Sequence, residues 1–162
     1  MSERTRKRKV RDCVCQIEWA DRTRSPHLDA IRSNIDQCLV HLPRNALESV
    51  SVAVVGDCVM ARLHHQFMGI DQSTDVLTFE LANDDKGRVT QGEVVVCSKV
   101  ARLSARRLHR KPEHELTLYV LHGLLHLCGM DDQDNRSYDR MHAEEDRILR
   151  AVGIGNVFSR QG

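Results

Sequence analysis

Aromatic side chains are scarce in this chain, with two tyrosines, three phenylalanines and one tryptophan among 162 residues. A surface that grips single strands by stacking successive bases on aromatic rings is therefore disfavoured. Long apolar runs are also missing. Nothing approaches the roughly 20 residues that a bilayer-spanning helix needs, so no transmembrane segment is expected. The first residues have no apolar h-region and carry Arg4, Arg6, Lys7, Arg8, Lys9 and Arg11 instead, which does not read as a secretory signal and makes cytoplasmic residence the expectation. No Cys-x-x-Cys pair occurs. The six cysteines, Cys13, Cys15, Cys38, Cys58, Cys97 and Cys128, lie mostly in apolar surroundings and read as reduced core residues.

Internal repeats and long linkers are absent too, and 162 residues suffice for one hydrophobic core but hardly for two. With 41% hydrophobic and 29% charged residues the chain is neither disordered nor membranous. A single domain over residues 10–155 is expected, between a basic flexible tail at 1–9 and a short tail at 156–162.

What is present is concentrated in one segment, His122-Gly-Leu-Leu-His126-Leu-Cys-Gly129-Met-Asp131-Asp132. Side chains at i and i+4 of a helix lie one above the other, close enough to share a metal ion. Nine histidines make some pairs expected by chance, so the spacing alone does not make a site. Its context does more. Leu116, Leu118, Val120, Leu121, Leu124, Leu125 and Leu127 make this helix apolar almost all round, hence central, and imidazoles on a buried helix need partners. Gly129 stands where a positive-φ residue stops a helix, and the turn can swing residues 131–134 back towards the histidines. Asp132 is thus a candidate third ligand, with Asp131, Asp134 and His142 as rivals. Three protein ligands leave one tetrahedral position for water or substrate, which separates a catalytic zinc from a structural one. Cys128, two residues after His126, points to another helix face.

The same histidine spacing occurs in zinc proteases, where the residue after the first histidine is a glutamate serving as general base. Here that residue is Gly123. Without a proton acceptor there, a zincin-like metalloprotease is only a minor alternative.

At this point the residues resemble a known family. His122-Gly-Leu-Leu-His126-Leu-Cys-Gly129-Met-Asp131 is similar to the signature of the YbeY family of bacterial metal-dependent endoribonucleases. Thr74-Asp-Val-Leu-Thr-Phe79 is similar to its threonine-aspartate-valine-leucine-serine-phenylalanine strand, Gly92-Glu-Val-Val-Val96 to its glycine-aspartate-isoleucine strand, and Met141, Glu145 and Leu149 to its closing helix. The match in order spans roughly residues 50 to 152. It implies a hydrolase that cuts single-stranded or structured RNA with a metal-activated water, in maturation of the 3′ end of 16S ribosomal RNA and in ribosome quality control. The implied cofactor is one zinc ion per chain, another divalent ion being open. Implied partners are ribosomal RNA and the ribosome or its small subunit, with no DNA and no membrane.

Three positions depart from the family pattern. The family's third ligand is a histidine where this chain has Asp132, and no histidine stands between His126 and His142. A two-histidine, one-carboxylate set shifts preference towards harder ions. The family arginine before the threonine-aspartate strand is replaced by Met68, which cannot pair with a phosphate as a guanidinium does. The glycine-aspartate pair has become Gly92-Glu93. Met68 and Asp132 motivate an alternative, a ribosome-associated RNA-binding factor with a structural metal and weak or lost catalysis. Thr74, Asp75 and His64 are candidates for the substrate cleft, His64 and His65 lying beside the place of the missing arginine.

Periodicity predicts an α+β fold, a mixed sheet of about four strands packed with about five helices around the central histidine helix. Strands are expected at Val14–Trp19, Ser49–Val55, Thr74–Leu81 and Glu93–Cys97, the last two joined in a hairpin by a polar turn near Asn83–Gly87. Helices are expected from Pro26, from Asp57 as a cap to Phe67, from Ser98 to Arg110, from Pro112, and from Asn135, the last burying Tyr138, Met141, Ile148, Leu149 and Val152. The net charge of +1 hides a dipolar layout. Arg102, Arg106, Arg107, Arg110 and Lys111 form a basic cluster suited to phosphate backbones, against acidic Asp131, Asp132, Asp134, Glu144, Glu145 and Asp146.

Overall fold

A computed structural model describes residues 15–155; the expected tails at 1–9 and 156–162, with Cys13 and Val14, lie outside the described residues. The elements in chain order are β1 (Gln16–Asp21), α1 (Leu28–Leu39), β2 (Ser49–Val55), α2 (Asp57–Met68), β3 (Val76–Asn83), β4 (Val89–Cys97), α3 (Ser98–Leu108), α4 (Pro112–Leu127) and α5 (Asn135–Ala151). The four strands form one sheet in the order β1-β2-β4-β3. β1, β2 and β4 run parallel, and β3 returns antiparallel to β4 as the predicted hairpin. Among the described residues this is the expected α+β architecture of five helices on a mixed four-stranded sheet.

Strand alternation distributes the apolar side chains between two faces. Val50, Val52, Val54, Val94 and Val96 join the large core with α1, α4 and α5, whereas Val55, Val95, Cys97 and Leu77 pack against Met60 of α2 on the other face. α4 is buried on nearly every side, with Leu116, Val120, Leu121, Leu124, Leu125 and Leu127 all at or near zero exposure. Each such side chain contributes roughly 1.5–3 kcal/mol through burial, so the histidines stand on the most firmly anchored helix.

Two glycines let α4 approach the sheet. A Cβ on Gly123 would lie 2.6 Å from Val94 Cγ1 and 3.1 Å from Thr78 Oγ1, and one on Gly92 would lie 2.6 Å from Leu127 Cδ1. Gly123 is therefore a packing requirement, and it explains physically why no glutamate can occupy the protease position. Gly129 adopts φ +96°, the helix stop anticipated for it.

Several expectations need correcting. Asp57 does not cap α2: the cap is Gly56 with extended backbone, and the Asp57 carboxylate faces Lys99 Nζ at 3.4 Å. Cys58 is exposed rather than core, because it falls on the outer face of α2's first turn. Tyr138 is 42% exposed rather than buried, since its ring packs edge-on to His142 at the rim of α5 with centroids 4.1 Å apart. β4 starts at Val89, four residues before the predicted Glu93, because Gln91 and Gly92 are paired on both sides.

Candidate metal centre

α4 carries His122 and His126 one turn apart, and their Nε2 atoms face one another at 3.0 Å. The turn at Gly129 and Met130 brings Asp132 over the same point, with Oδ2 3.3 Å from His122 Nε2 and Oδ1 3.6 Å from His126 Nε2. One ligand atom from each residue lies within 4.8 Å of the others, and among the described residues this is the one His/Cys/Asp/Glu group that meets that condition. Ligands about 2.1 Å from a tetrahedral ion stand about 3.4 Å apart, so the donor spacing suits a divalent ion such as zinc.

The orientation of both rings is enforced from behind. Glu145, only 1% exposed, places Oε1 2.6 Å from His122 Nδ1. Its Oε2 lies 2.9 Å from Nδ1 of His142, one turn earlier on α5. A buried carboxylate accepts, so His122 donates through Nδ1–H and its Nε2 is left as the free ligand nitrogen. His126 Nδ1 donates to the Met130 carbonyl at 3.1 Å, with the same effect. Burial pushes the His122 imidazole towards neutrality, but the hydrogen bond and charge of Glu145, helped by Asp132 and Asp75, outweigh it and raise its pKa overall.

Among the described residues the rival ligands fall outside this cluster. Asp134 caps α5, accepting from Ser137 N–H at 2.7 Å while its own N–H donates to Ser137 Oγ at 3.2 Å. Those bonds hold its carboxyl below the usual range. Asp131 is exposed and accepts the Asp132 N–H at 2.8 Å, and His142 is tied to Glu145. Burial pushes the Cys128 thiol up to about 12, and Cys128 is not part of the cluster.

Two clefts flank the histidine pair. One, of about 390 Å3, exposes His122 and Asp132 together with Asp75, Ser104, Arg107 and Arg110. The other, of about 520 Å3, is lined by His122, His126, Thr78, Glu80, Asp131 and Met68. Asp75 thus reaches a cleft wall, where its Oδ1 accepts from Val76 N–H at 2.8 Å and from the Thr74 hydroxyl at 3.2 Å. Thr74 lines neither cleft. His64 lines neither cleft; its Nδ1 is 2.6 Å from the Gln72 carbonyl, and His65 pairs with Asp71 at 2.5 Å.

A family model described as Endoribonuclease YbeY matches residues 16–153. The chain belongs to the YbeY family. Endoribonuclease YbeY of Gloeobacter violaceus is 33% identical over 129 residues, covering 76% of this chain and 66% of that protein. Those of Anaeromyxobacter and Bordetella avium are 34% and 36% identical, with 59% and 67% of their lengths covered. The chain therefore spans about two thirds or less of the length of these relatives. The solution structure of a Thermotoga maritima protein superposes with a TM-score of 0.54 at 25% identity, covering 91% of this chain and 98% of that one.

Within this YbeY-family site, sequence reasoning overlooked the role of Glu145, which it read only as part of the closing helix. The signal was present: a carboxylate between Met141 and Leu149 at helical spacing stands on the buried face of α5. The close packing at Gly123 and the carbonyl of Met130 leave no such mark in sequence.

Proposed function

We propose that this chain is a metal-dependent endoribonuclease, acting in the cytoplasm on ribosomal RNA at the 3′ end of 16S and in ribosome quality control, with zinc held by His122, His126 and Asp132. Residues 10–155 serve as its single domain. The observation that carries the reading is the triangle of two Nε2 atoms and a carboxylate, each imidazole pinned through Nδ1, opening onto two clefts on a helix with no room for the protease glutamate.

When bound, a divalent ion supplies Lewis acidity and a water whose pKa is lowered towards neutrality. The chain does the rest. His122 and His126 would hold the ion through Nε2, Asp132 would add a carboxylate oxygen, and Glu145 keeps both the tautomer and the angle of the His122 ring fixed from the protein interior. Three residues of the chain on one side leave the opposite side for a phosphodiester.

The second reading, an RNA-binding factor with a structural metal, is favoured by Met68, which is 62% exposed on a cleft wall and offers a phosphate no charge. Incubation of the zinc-reconstituted chain with structured ribosomal RNA, with and without chelator, separates the two. The nuclease reading expects cleavage that chelation abolishes and added metal restores. Full metal content with no chelator-sensitive cleavage leaves the binding factor.

A further inference from the structure

Resting on the RNA reading above, we infer that Arg107 is the residue that holds a substrate phosphate in the cleft beside Asp132, a binding role that Met68 cannot fill from α2.

The cleft lined by His122 and Asp132 contains four carboxylates and two guanidinium groups, Arg107 and Arg110. Almost all of that charge is already committed. Glu145 is shared by His122 and His142. Glu115, itself buried, pairs with Arg110 at 3.4 Å. Asp75 accepts from its own neighbours, and Asp132 belongs to the ligand triangle. Arg107 differs: it is exposed, and among the described residues it makes no hydrogen bond or ion pair. Its helix position explains its aim. Ser104, Arg107 and Leu108, at i, i+3 and i+4 on α3, all line the cleft, whereas Arg102 of the same basic cluster lines a different cavity beside Pro26. A planar, always-charged fork on the wall of a cleft that also exposes two metal-ligating side chains suits a bridging or flanking phosphate. Met68 lines the other cleft, so within the cleft beside Asp132 the uncommitted positive charge comes from α3.

The test uses fluorescence anisotropy of the zinc-reconstituted full chain with a cleavage-resistant phosphorothioate-backbone RNA oligonucleotide. Arg107→Ala should weaken binding about tenfold or more. It should also lower the slope of log affinity against log salt by about 0.7, one single-strand phosphate contact, while metal content stays at the parental value. Arg107→Lys should keep the salt slope and recover part of the affinity. Arg102→Ala should stay within about twofold of the parent. If the parent binds RNA and Arg107→Ala matches it in affinity and salt slope, or if Arg102→Ala loses as much, the assignment is overturned while the nuclease reading stands. A parent that neither binds nor cleaves RNA removes both.

Discussion

On the α5 side of the histidine pair, imidazole and carboxylate are committed to one another inside the protein: Glu145 bridges His122 and His142, and Tyr138 packs on the His142 ring. On the α2 side Met68 stands exposed on the cleft wall, and its chain neighbours Phe67 and Ile70 are exposed as well. The difference separates two tasks. Holding an ion requires ligand atoms fixed before it arrives, and burial of their partners supplies that fixity. Admitting a polymer requires a rim free of internal commitments, so its side chains are chosen for charge and reach rather than packing. Changes to the buried groups of α5 should therefore fail in fold or metal, and changes to exposed cleft-wall side chains, Met68 on α2 and Arg107 on α3, in substrate binding.

The largest effect is expected where the fixed side meets the sheet. Gly123→Glu would put a carboxylate against Val94 and Thr78, combining overpacking with an unpaired buried charge, and should cost more than about 3 kcal/mol. Chemical denaturation should show a chain largely unable to fold; a folded variant with parental metal content would contradict the packing account. Next comes Glu145→Ala, which frees the His122 ring and strands two imidazoles. Metal affinity measured by chelator competition should fall about 10- to 100-fold, with Glu145→Gln falling less. A smaller effect is expected for Asp132→His, which should retain one ion per chain and raise the preference for zinc over manganese in competition dialysis. The smallest belongs to the open rim: Met68→Arg should tighten RNA binding a few-fold and steepen its salt dependence by about 0.7 without changing metal content. If Met68→Arg instead alters metal affinity as strongly as Glu145→Ala, the division into a fixed side and an open side is wrong.

Legibility in the sequence follows the same division. The histidine helix, its start at Pro112 and its stop at Gly129 were readable because periodicity, proline at the first turn and positive-φ glycine are local signals. β2 could be delimited at Ser49–Val55 for a similar reason, its β-branched run. The start of β4 was not, because Gln91 and Gly92 carry no strand signal of their own and are held by pairing to β2 and β3, which is tertiary information. Asp132 could be proposed from a turn but not chosen over Asp131, Asp134 and His142. That choice depends on which of them is already occupied, as the α5 capping box occupies Asp134. His64 was proposed from its closeness in sequence to the family's arginine, yet its ring turns to the Gln72 carbonyl. Arg107 was visible only as one of five cations; that it alone lacks a partner in the cleft depends on Glu115, reached through the turn after α3.

Equilibrium zinc titration of the parent, His126→Ala and Asp132→Ala chains, followed by calorimetry, tests the three-residue metal centre most directly. The expected result is one ion per chain in the parent, no specific binding in His126→Ala, and at least about tenfold weaker binding in Asp132→Ala, as loss of a ligand requires. Parental affinity in Asp132→Ala, or no stoichiometric binding by the parent itself, would contradict it.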